Sequence, residues 1–308
     1  MSDFFFFFVA TYITQPIVFI IFYTLRLHIA RRNAKNLSSF TANQYNGAIA
    51  PNQQAKDEVI SSLKKRLRKE AFITTPLSII INPVYIIRNG LYKSISNIAP
   101  NIRGDILDFG CGSKPYESLF ENAKSYIGVD IDVSGHNHKE SKVDYFYDGK
   151  KLPFADESFD AVVCFEVFEH VFNIEEVLAE IYRVLKPNGQ LLISIPFAWD
   201  EHEIPYDFAR YTSFGITHIL NKNNFEVTKL TKTTTYILAV FQMLIAYLFQ
   251  YALPKGRLIG RMSQLLVIFP LNVIALLLNI LLPKRYEYFC NNVVLAKRVE
   301  TKLTQQQL

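Results

Sequence analysis

An α/β fold, with a parallel sheet covered by helices on both faces and apolar helices added to it, is what this 308-residue sequence predicts. Three observations predict it. Short apolar strands alternate with helical stretches between residues 104 and 200. The first strand ends in Gly110-Cys111-Gly112, and the second ends in an acid, Asp130. Three long uncharged runs, Phe4–Leu25, Tyr236–Leu253 and Leu265–Leu282, lie outside that region.

Composition narrows the class. Half of the residues are apolar and 20% are charged, which excludes a disordered or fibrous chain. Cys111, Cys164 and Cys290 make no disulfide framework and lack metal-ligand spacing, so a reducing compartment is expected. The net charge of +5 averages unlike regions: +9 over residues 1–103, −10 over 104–235 and +6 over 236–308. Nucleic-acid binding predicts basic residues around the chemistry. An acidic middle between basic, apolar flanks fits flanks that touch an anionic membrane, and no nucleic-acid partner is expected.

The N-terminal run Phe4–Leu25 is long enough to cross a bilayer: its residues, at about 1.5 Å each, make roughly 33 Å of helix. Arg26, Arg31, Arg32 and Lys35 follow it, which places residue 26 onward in the cytoplasm. No basic segment precedes the run, so a membrane segment over residues 1–35 is expected rather than a cleaved signal. Ser38–Ala55 is polar and reads as a linker, so residues 36–56 are assigned to it. Asp57–Ile73 has Val59, Ile60, Leu63 and Leu67 at helical spacing among five basic residues. It suits a membrane surface, and equally a solvated helix on the main domain. Leu77–Ile87, broken by Asn82-Pro83, is placed either over the active site or in lipid, within a helical region 57–103.

Strands are expected at Asp105–Phe109, Ser125–Asp130, Val143–Tyr147, Phe159–Phe165 and Gln190–Ile195. A helix is expected over Asn173–Val184, where Ile174, Val177, Leu178 and Ile181 recur at helical spacing. Ligands of such sheets bind at the carboxyl ends of the strands. Gly110 and Gly112 let backbone approach a ligand, and Asp130 can accept from both ribose hydroxyls of an adenosine cofactor. A dinucleotide site wants a third glycine where Pro115 stands, which disfavours NAD.

Five segments resemble the successive motifs of class I S-adenosylmethionine-dependent methyltransferases, of the type 11 kind. They are Asp108–Gly112, Ile127–Asp130, Leu152–Asp160, Glu169-His170-Val171 and Arg183–Gly189. The resemblance implies a Rossmann-like seven-stranded sheet whose last two strands form an antiparallel hairpin. It implies S-adenosyl-L-methionine as cofactor. Asp108, Gly110, Cys111 and Gly112 would line its methionine part, with Asp130 on the ribose and Ile131 beside the adenine. Asp148 would bond the adenine amino group with Gly149 next to it, and Phe165 and Glu166 would form the wall after the fourth strand. Ser113-Lys114-Pro115-Tyr116 departs from the usual small third residue.

The resemblance also accounts for the apolar runs near the end. Phe225–Thr235 and Tyr286–Arg298 read as the sixth and seventh strands, and residues 236–283 replace the short turn between them. The expected core is therefore 104–235 plus 284–299, interrupted by an apolar helical hairpin. Lys255, Arg257 and Arg261 lie at the hairpin's tip. A spanning hairpin would put them outside, against the positive-inside rule, so a shallow one that enters from the cytoplasmic side is preferred.

Pro196–Tyr211 follows the fifth strand and is the candidate acceptor region. His202 is the expected general base, with Glu203 or Asp207 orienting it. Trp199, Asp207, Arg210 and Tyr211 are the expected acceptor-binding residues. A similar His-Glu-x-Pro-x-Asp segment occurs in methyltransferases associated with bacterial cell-surface polysaccharide synthesis. His136 and His138 lack a third ligand, and no metal is expected. The reading is methyl transfer to a glycan, lipid-linked sugar or lipid-like acceptor at the cytoplasmic face of a membrane. Alternatives are an inactive methyltransferase-like scaffold and an NAD-dependent oxidoreductase.

Overall fold

The computed structural model describes residues 71–132, 141–256 and 259–300. The expectations for Phe4–Leu25, the linker, residues 57–70 and His136 and His138 lie outside them. Seven strands form one sheet in the order β3-β2-β1-β4-β5-β7-β6. They are β1 (Gly104–Phe109), β2 (Ala123–Ile131), β3 (Tyr145–Tyr147), β4 (Phe159–Phe165), β5 (Leu185–Pro196), β6 (Phe225–Lys232) and β7 (Asn291–Arg298). The first five run parallel, and β7 runs antiparallel between β5 and β6.

Alternation along the strands sends side chains to two cores. Leu107, Phe109, Val162, Cys164, Leu191, Ile193 and Val294 face one side. There they meet α2 (Ile174–Val184) and α3 (Ser213–Lys222). The α2 helix buries Ile174, Leu178, Ile181 and Val184, each worth about 1.5–3 kcal/mol when removed from water. Glu175 and Glu176 in its first turn and Arg183 in its last complement the helix dipole. Thr212 caps α3, its hydroxyl accepting from the Gly215 amide at 3.0 Å.

Ile106, Ala161, Val163, Leu192 and Val293 face the other side. They are covered by α1 (Tyr85–Ser96) through Ile87, Leu91 and Ile95, which recur every four residues. Gly90 lets α1 approach β6: a Cβ there would lie 2.7 Å from the Thr233 carbonyl oxygen.

Several expected strands differ in extent: β6 ends at Lys232 and not Thr235, and β7 starts at Asn291 and not Tyr286. β3 starts at Tyr145 because the preceding Asp144 turns back and accepts from the Gly128 amide at 2.7 Å. β5 starts at Leu185, and Lys186–Gly189 bulge out, since Phe159 pairs with Leu185 and Ala161 with Gln190.

Between β6 and β7 the chain forms α4 (Tyr236–Tyr247), continued by a π-helical turn over Leu248–Ala252. The return helix is longer than expected. It covers Ile259–Leu281 and takes in Arg261. A π-helical turn over Gln264–Ile268 precedes α5 (Phe269–Leu281), where Pro270 has no amide to donate. The two helices are apolar all round, yet Gln242, Asn272 and Asn279 differ in what they do. Gln242 accepts from the Ile87 amide at 3.1 Å and donates to the Pro83 carbonyl at 3.0 Å. Asn272 donates to the Ile79 carbonyl at 3.0 Å, and Asn279 accepts from the Thr235 hydroxyl at 2.6 Å. Val84 gives α1 no side-chain cap, so Gln242 satisfies one of the unpaired amides of its first turn from the insert.

Gln242→Leu should therefore destabilise the chain by about 1–3 kcal/mol, because the Ile87 amide loses its partner in an apolar setting. Denaturant unfolding of the detergent-solubilised protein measures this, and an unchanged midpoint would contradict the capping role.

Candidate active site

β1 ends in a loop that needs glycine. Gly110 and Gly112 have φ of 68° and 46°. The Gly110 and Cys111 amides both donate to the Val129 carbonyl, at 2.9 and 3.2 Å. A Cβ on Gly110 would lie 2.4 Å from Val167 Cγ2, whereas one on Gly112 would meet nothing within 4 Å. The Gly112 side of the loop thus faces open space that a ligand can fill. Asp130 pins the loop: Oδ2 accepts from the Gly112 amide at 2.9 Å and Oδ1 from the Ile131 amide at 2.8 Å. A carboxylate offers about four lone-pair sites, so two remain for ribose hydroxyls.

The chain after Gly112 does not form a helix. Lys114 takes a φ of 52°, and a single turn of 3-10 helix follows at Glu117–Leu119. No helix N-terminus stands there to receive a pyrophosphate, which fits a mononucleoside cofactor and not a dinucleotide. Asp108 sits at the end of β1, nearly buried, and accepts from the Tyr126 hydroxyl at 2.8 Å. Burial pushes its pKa up to about 7, against the pull of the Tyr126 hydrogen bond and of Lys114. A buried acid close to neutrality suits a cationic partner such as the ammonium of a methionine moiety.

These residues line a cleft of about 490 Å³ at the carboxyl ends of the strands. Residues 107–193 match the family model described as a methyltransferase domain. The chain carries a methyltransferase domain. A protein of Mycolicibacterium smegmatis described as "Probable S-adenosylmethionine-dependent methyltransferase" is 31% identical over 137 residues, 43% of this chain and 51% of that protein. A "Ubiquinone biosynthesis O-methyltransferase" of Rickettsia felis is 31% identical over 127 residues, 37% of this chain and 50% of that protein. A "Ubiquinone/menaquinone biosynthesis C-methyltransferase" of Desulfotalea psychrophila is 35% identical over 125 residues, 37% of this chain and 50% of that protein. The chain spans about half the length of these relatives. The name of the first of these relatives specifies S-adenosylmethionine, and the open Gly112 face, Asp130 and the buried Asp108 fit that cofactor.

Of the residues singled out in the sequence, the cleft of the methyltransferase domain gathers eleven. Asp108, Gly110, Cys111, Gly112, Asp130 and Ile131 come from β1, its loop and β2. Phe165, Glu166, Trp199, His202 and Glu203 come from the ends of β4 and β5. Glu166 and Glu203 take left-handed φ values of 56° and 54°.

Five do not line it. Asp148 turns onto its own loop, accepting from the Lys150 and Lys151 amides at 2.9 and 3.2 Å. Gly149 lies behind Ile131, whose Cδ1 would be 3.2 Å from a Cβ there. Arg210 is not an acceptor-binding hand but a brace. It grips Asp207 with two nitrogens at 2.5 and 2.7 Å and donates to the Asp200 carbonyl at 2.9 Å. Arg210 in turn holds the Asp207 carboxyl well below the usual carboxylate range. Tyr211 packs on the core, its amide donating to the Pro196 carbonyl. The physical reason is proximity: a carboxylate three residues from a guanidinium gains a bidentate pair inside the loop. Asp207, and not Glu203, orients His202, with Oδ2 3.2 Å from Nδ1 and 2.9 Å from the His202 amide. Glu203 instead lies 3.7 Å from His170 Nε2.

Arg88 and His170 also line the cleft, a place the sequence does not assign to them, and Ser194 and Asn291 stand behind it. Glu166 is held by the Ser194 hydroxyl and the Asn291 amide, each at 2.6 Å. Glu166-x-x-Glu169-His170 after an apolar strand was a usable signal, since two acids there serve no packing purpose. Arg88 had none, because it comes from a helix ahead of the core.

S-adenosylmethionine affinity should rise with pH through about 7, by about tenfold between about pH 6 and pH 8, as Asp108 changes from neutral to carboxylate. Calorimetric titration of the wild type and Asp108→Asn checks this. The variant should bind more weakly and lose the slope, and a flat wild-type profile would refute the assignment.

Proposed function

We propose that the chain transfers a methyl group from S-adenosylmethionine to a hydroxyl of a glycan, lipid-linked sugar or lipid-like acceptor at a membrane surface. One observation carries this reading. A second cavity, of about 700 Å³, lies beside the insert helices and shares Val84 and Trp199 with the cofactor cleft. Ala246, Phe249 and Leu253 make it apolar, while Lys255 and Arg261 stand in its wall. An apolar tail fits the first group and a phosphate the second. Two of the relatives carry names from quinone biosynthesis, which supports a lipid-like acceptor.

The insert supports membrane contact. Val240, Leu244, Leu266, Ile280 and Leu281 are exposed on it, and an apolar surface of this extent seeks lipid or protein. Ile259–Leu281 is long and apolar enough to cross a membrane by length and composition. Lys255 and Arg261 at the tip favour the shallow placement, close to anionic headgroups. Confining enzyme and acceptor to one surface raises their effective concentration.

The cofactor supplies a methyl group already activated on a sulfonium. The protein's part is to align the acceptor oxygen and to remove its proton. The oxygen–carbon bond forms as the sulfur–carbon bond breaks, S-adenosylhomocysteine leaves, and the hydroxyl proton departs. His202, Glu169 and His170 stand together at that end of the cleft, with Trp199 between the two cavities.

Membranes containing the enzyme should pass label from methyl-labelled cofactor into lipid-extractable material. Lys255→Glu/Arg261→Glu should raise the KM for that acceptor by about tenfold or more, as expected for lost charge-assisted contacts, with cofactor affinity unchanged. Label found only in protein would overturn the acceptor class.

A further inference from the structure

Behind the acceptor end of the cleft three side chains converge. The Glu169 side chain is fully buried, and neither oxygen has a hydrogen-bond partner from another residue. His170 places Nδ1 2.7 Å from the Tyr206 carbonyl. A carbonyl only accepts, so Nδ1 carries the hydrogen and Nε2 offers a lone pair. That Nε2 is buried without a hydrogen-bond partner, 3.8 Å from Glu169 Oε1. His202 places Nδ1 3.2 Å from both the Asp200 carbonyl and Asp207 Oδ2, two acceptors, so its lone pair is on Nε2 as well. The rings meet edge to face at 4.8 Å. One ligating atom from each of Glu169, His170 and His202 lies within 4.8 Å of the others.

The cluster thus sets a buried carboxyl group, neither oxygen of which has a partner, beside two imidazole nitrogens that carry lone pairs. A buried carboxyl group and a buried imidazole lone pair left without partners are costly, and a positive ion held between them and His202 offsets that cost. A shared proton serves poorly, since 3.8 Å exceeds a hydrogen bond. A metal ion serves all three at once. The donors need to draw in by about 1 Å to meet an ion at about 2.1 Å. The supports are those of ligating histidines, whose distal nitrogens are held by a carbonyl or carboxylate. Tyr206 holds His170 and Asp207 holds His202, while Arg210 locks Asp207. This gives the Asp207–Arg210 brace a purpose.

We propose that Glu169, His170 and His202 bind a divalent cation, with Glu203 at the edge of the site. Two imidazoles and a carboxylate without thiolate suit Mn²⁺ or Zn²⁺ better than Ca²⁺. His170, His202 and Glu203 line the cleft, so the ion's remaining positions open toward the acceptor. There the ion would bind the acceptor oxygen and ease loss of its proton, and His202 would act as a ligand and not as a free base. This last role rests on the methyltransferase reading, whereas cation binding does not.

The test uses the full chain in detergent, stripped with chelator, with MnCl₂ and then ZnCl₂ titrated in and S-adenosylmethionine binding measured on the same samples. Saturable binding of one ion is expected. Glu169→Gln and His170→Ala should each weaken it by at least about tenfold, and Glu169→Gln, at a residue that does not line the cleft, should leave cofactor affinity within about twofold. A protein that binds the cofactor but neither ion, or variants that bind the ions as the wild type does, would overturn the site. Ion binding lost in the variants of a protein that never bound the cofactor would uphold the site and refute the methyltransferase reading instead.

Discussion

The Glu166 carboxylate joins three strands at the floor of the cleft. It stands just past β4, accepts from Ser194 on β5 and accepts from Asn291 at the start of β7. Burial pushes its pKa up, and the Ser194 hydrogen bond opposes that shift. The backbone at Glu166 is left-handed, a conformation costing a non-glycine residue about 1 kcal/mol or more, and it turns the chain into the short helix that carries Glu169 and His170. Asn291 is the residue at which the chain returns from its apolar insert. One buried carboxylate thus fixes where the insert re-enters the sheet and where the next acid and histidine point.

The insert is tied to the cleft a second time, from above. Gln242 caps α1, which contributes Ile87, Arg88 and Leu91 to the cleft, and Asn272 holds the Ile79 carbonyl just before it. Amide side chains in such apolar helices are costly to bury without partners. Here they turn inward onto irregular backbone, and the outer face keeps Leu266, Ile280 and Leu281. Composition alone does not separate the two faces, because both read as apolar. The hydrogen bonds do: the side bearing Gln242 and Asn272 is committed to protein, and the opposite side is open to another apolar phase.

Much of the sheet was legible because its signals are local. A strand followed by Gly-x-Gly and a strand ending in Asp each occupy fewer than ten residues, and period-two burial fixes their facing. The long gap between β6 and β7 could be read as a hairpin because both ends must reach one sheet. The glycine loop and Asp130 were legible for the same local reason. The acceptor end was not, because it depends on competition between partners. Arg210 had the composition of a ligand-binding residue, yet Asp207 lies within one turn and claims it. Asp148 had a suitable place, yet two amides of its own loop claim it. Glu169 and His202 are far apart in sequence and meet only because the β5 loop folds back, with the Phe208 and Ala209 amides donating to the Glu169 carbonyl.

Methyl transfer by displacement requires the acceptor to approach opposite the departing sulfur. That geometry asks for two entrances. The cofactor residues Gly112, Asp130 and Ile131 belong to β1, its loop and β2, on one half of the sheet. The second cavity belongs to the insert and meets the cleft only at Val84 and Trp199. On the proposed function, the cofactor would come from solvent past the glycine loop and a lipid-borne acceptor from the insert, without either crossing the other's path. Placing the insert between β6 and β7 achieves this because β7 lies beside β5, whose carboxyl end carries Trp199 and His202. An apolar segment inserted near β2 or β3 would deliver the acceptor to the cofactor's own door. The position of the insert in the topology, as much as its apolarity, is what would make the proposed membrane-borne acceptor compatible with this sheet.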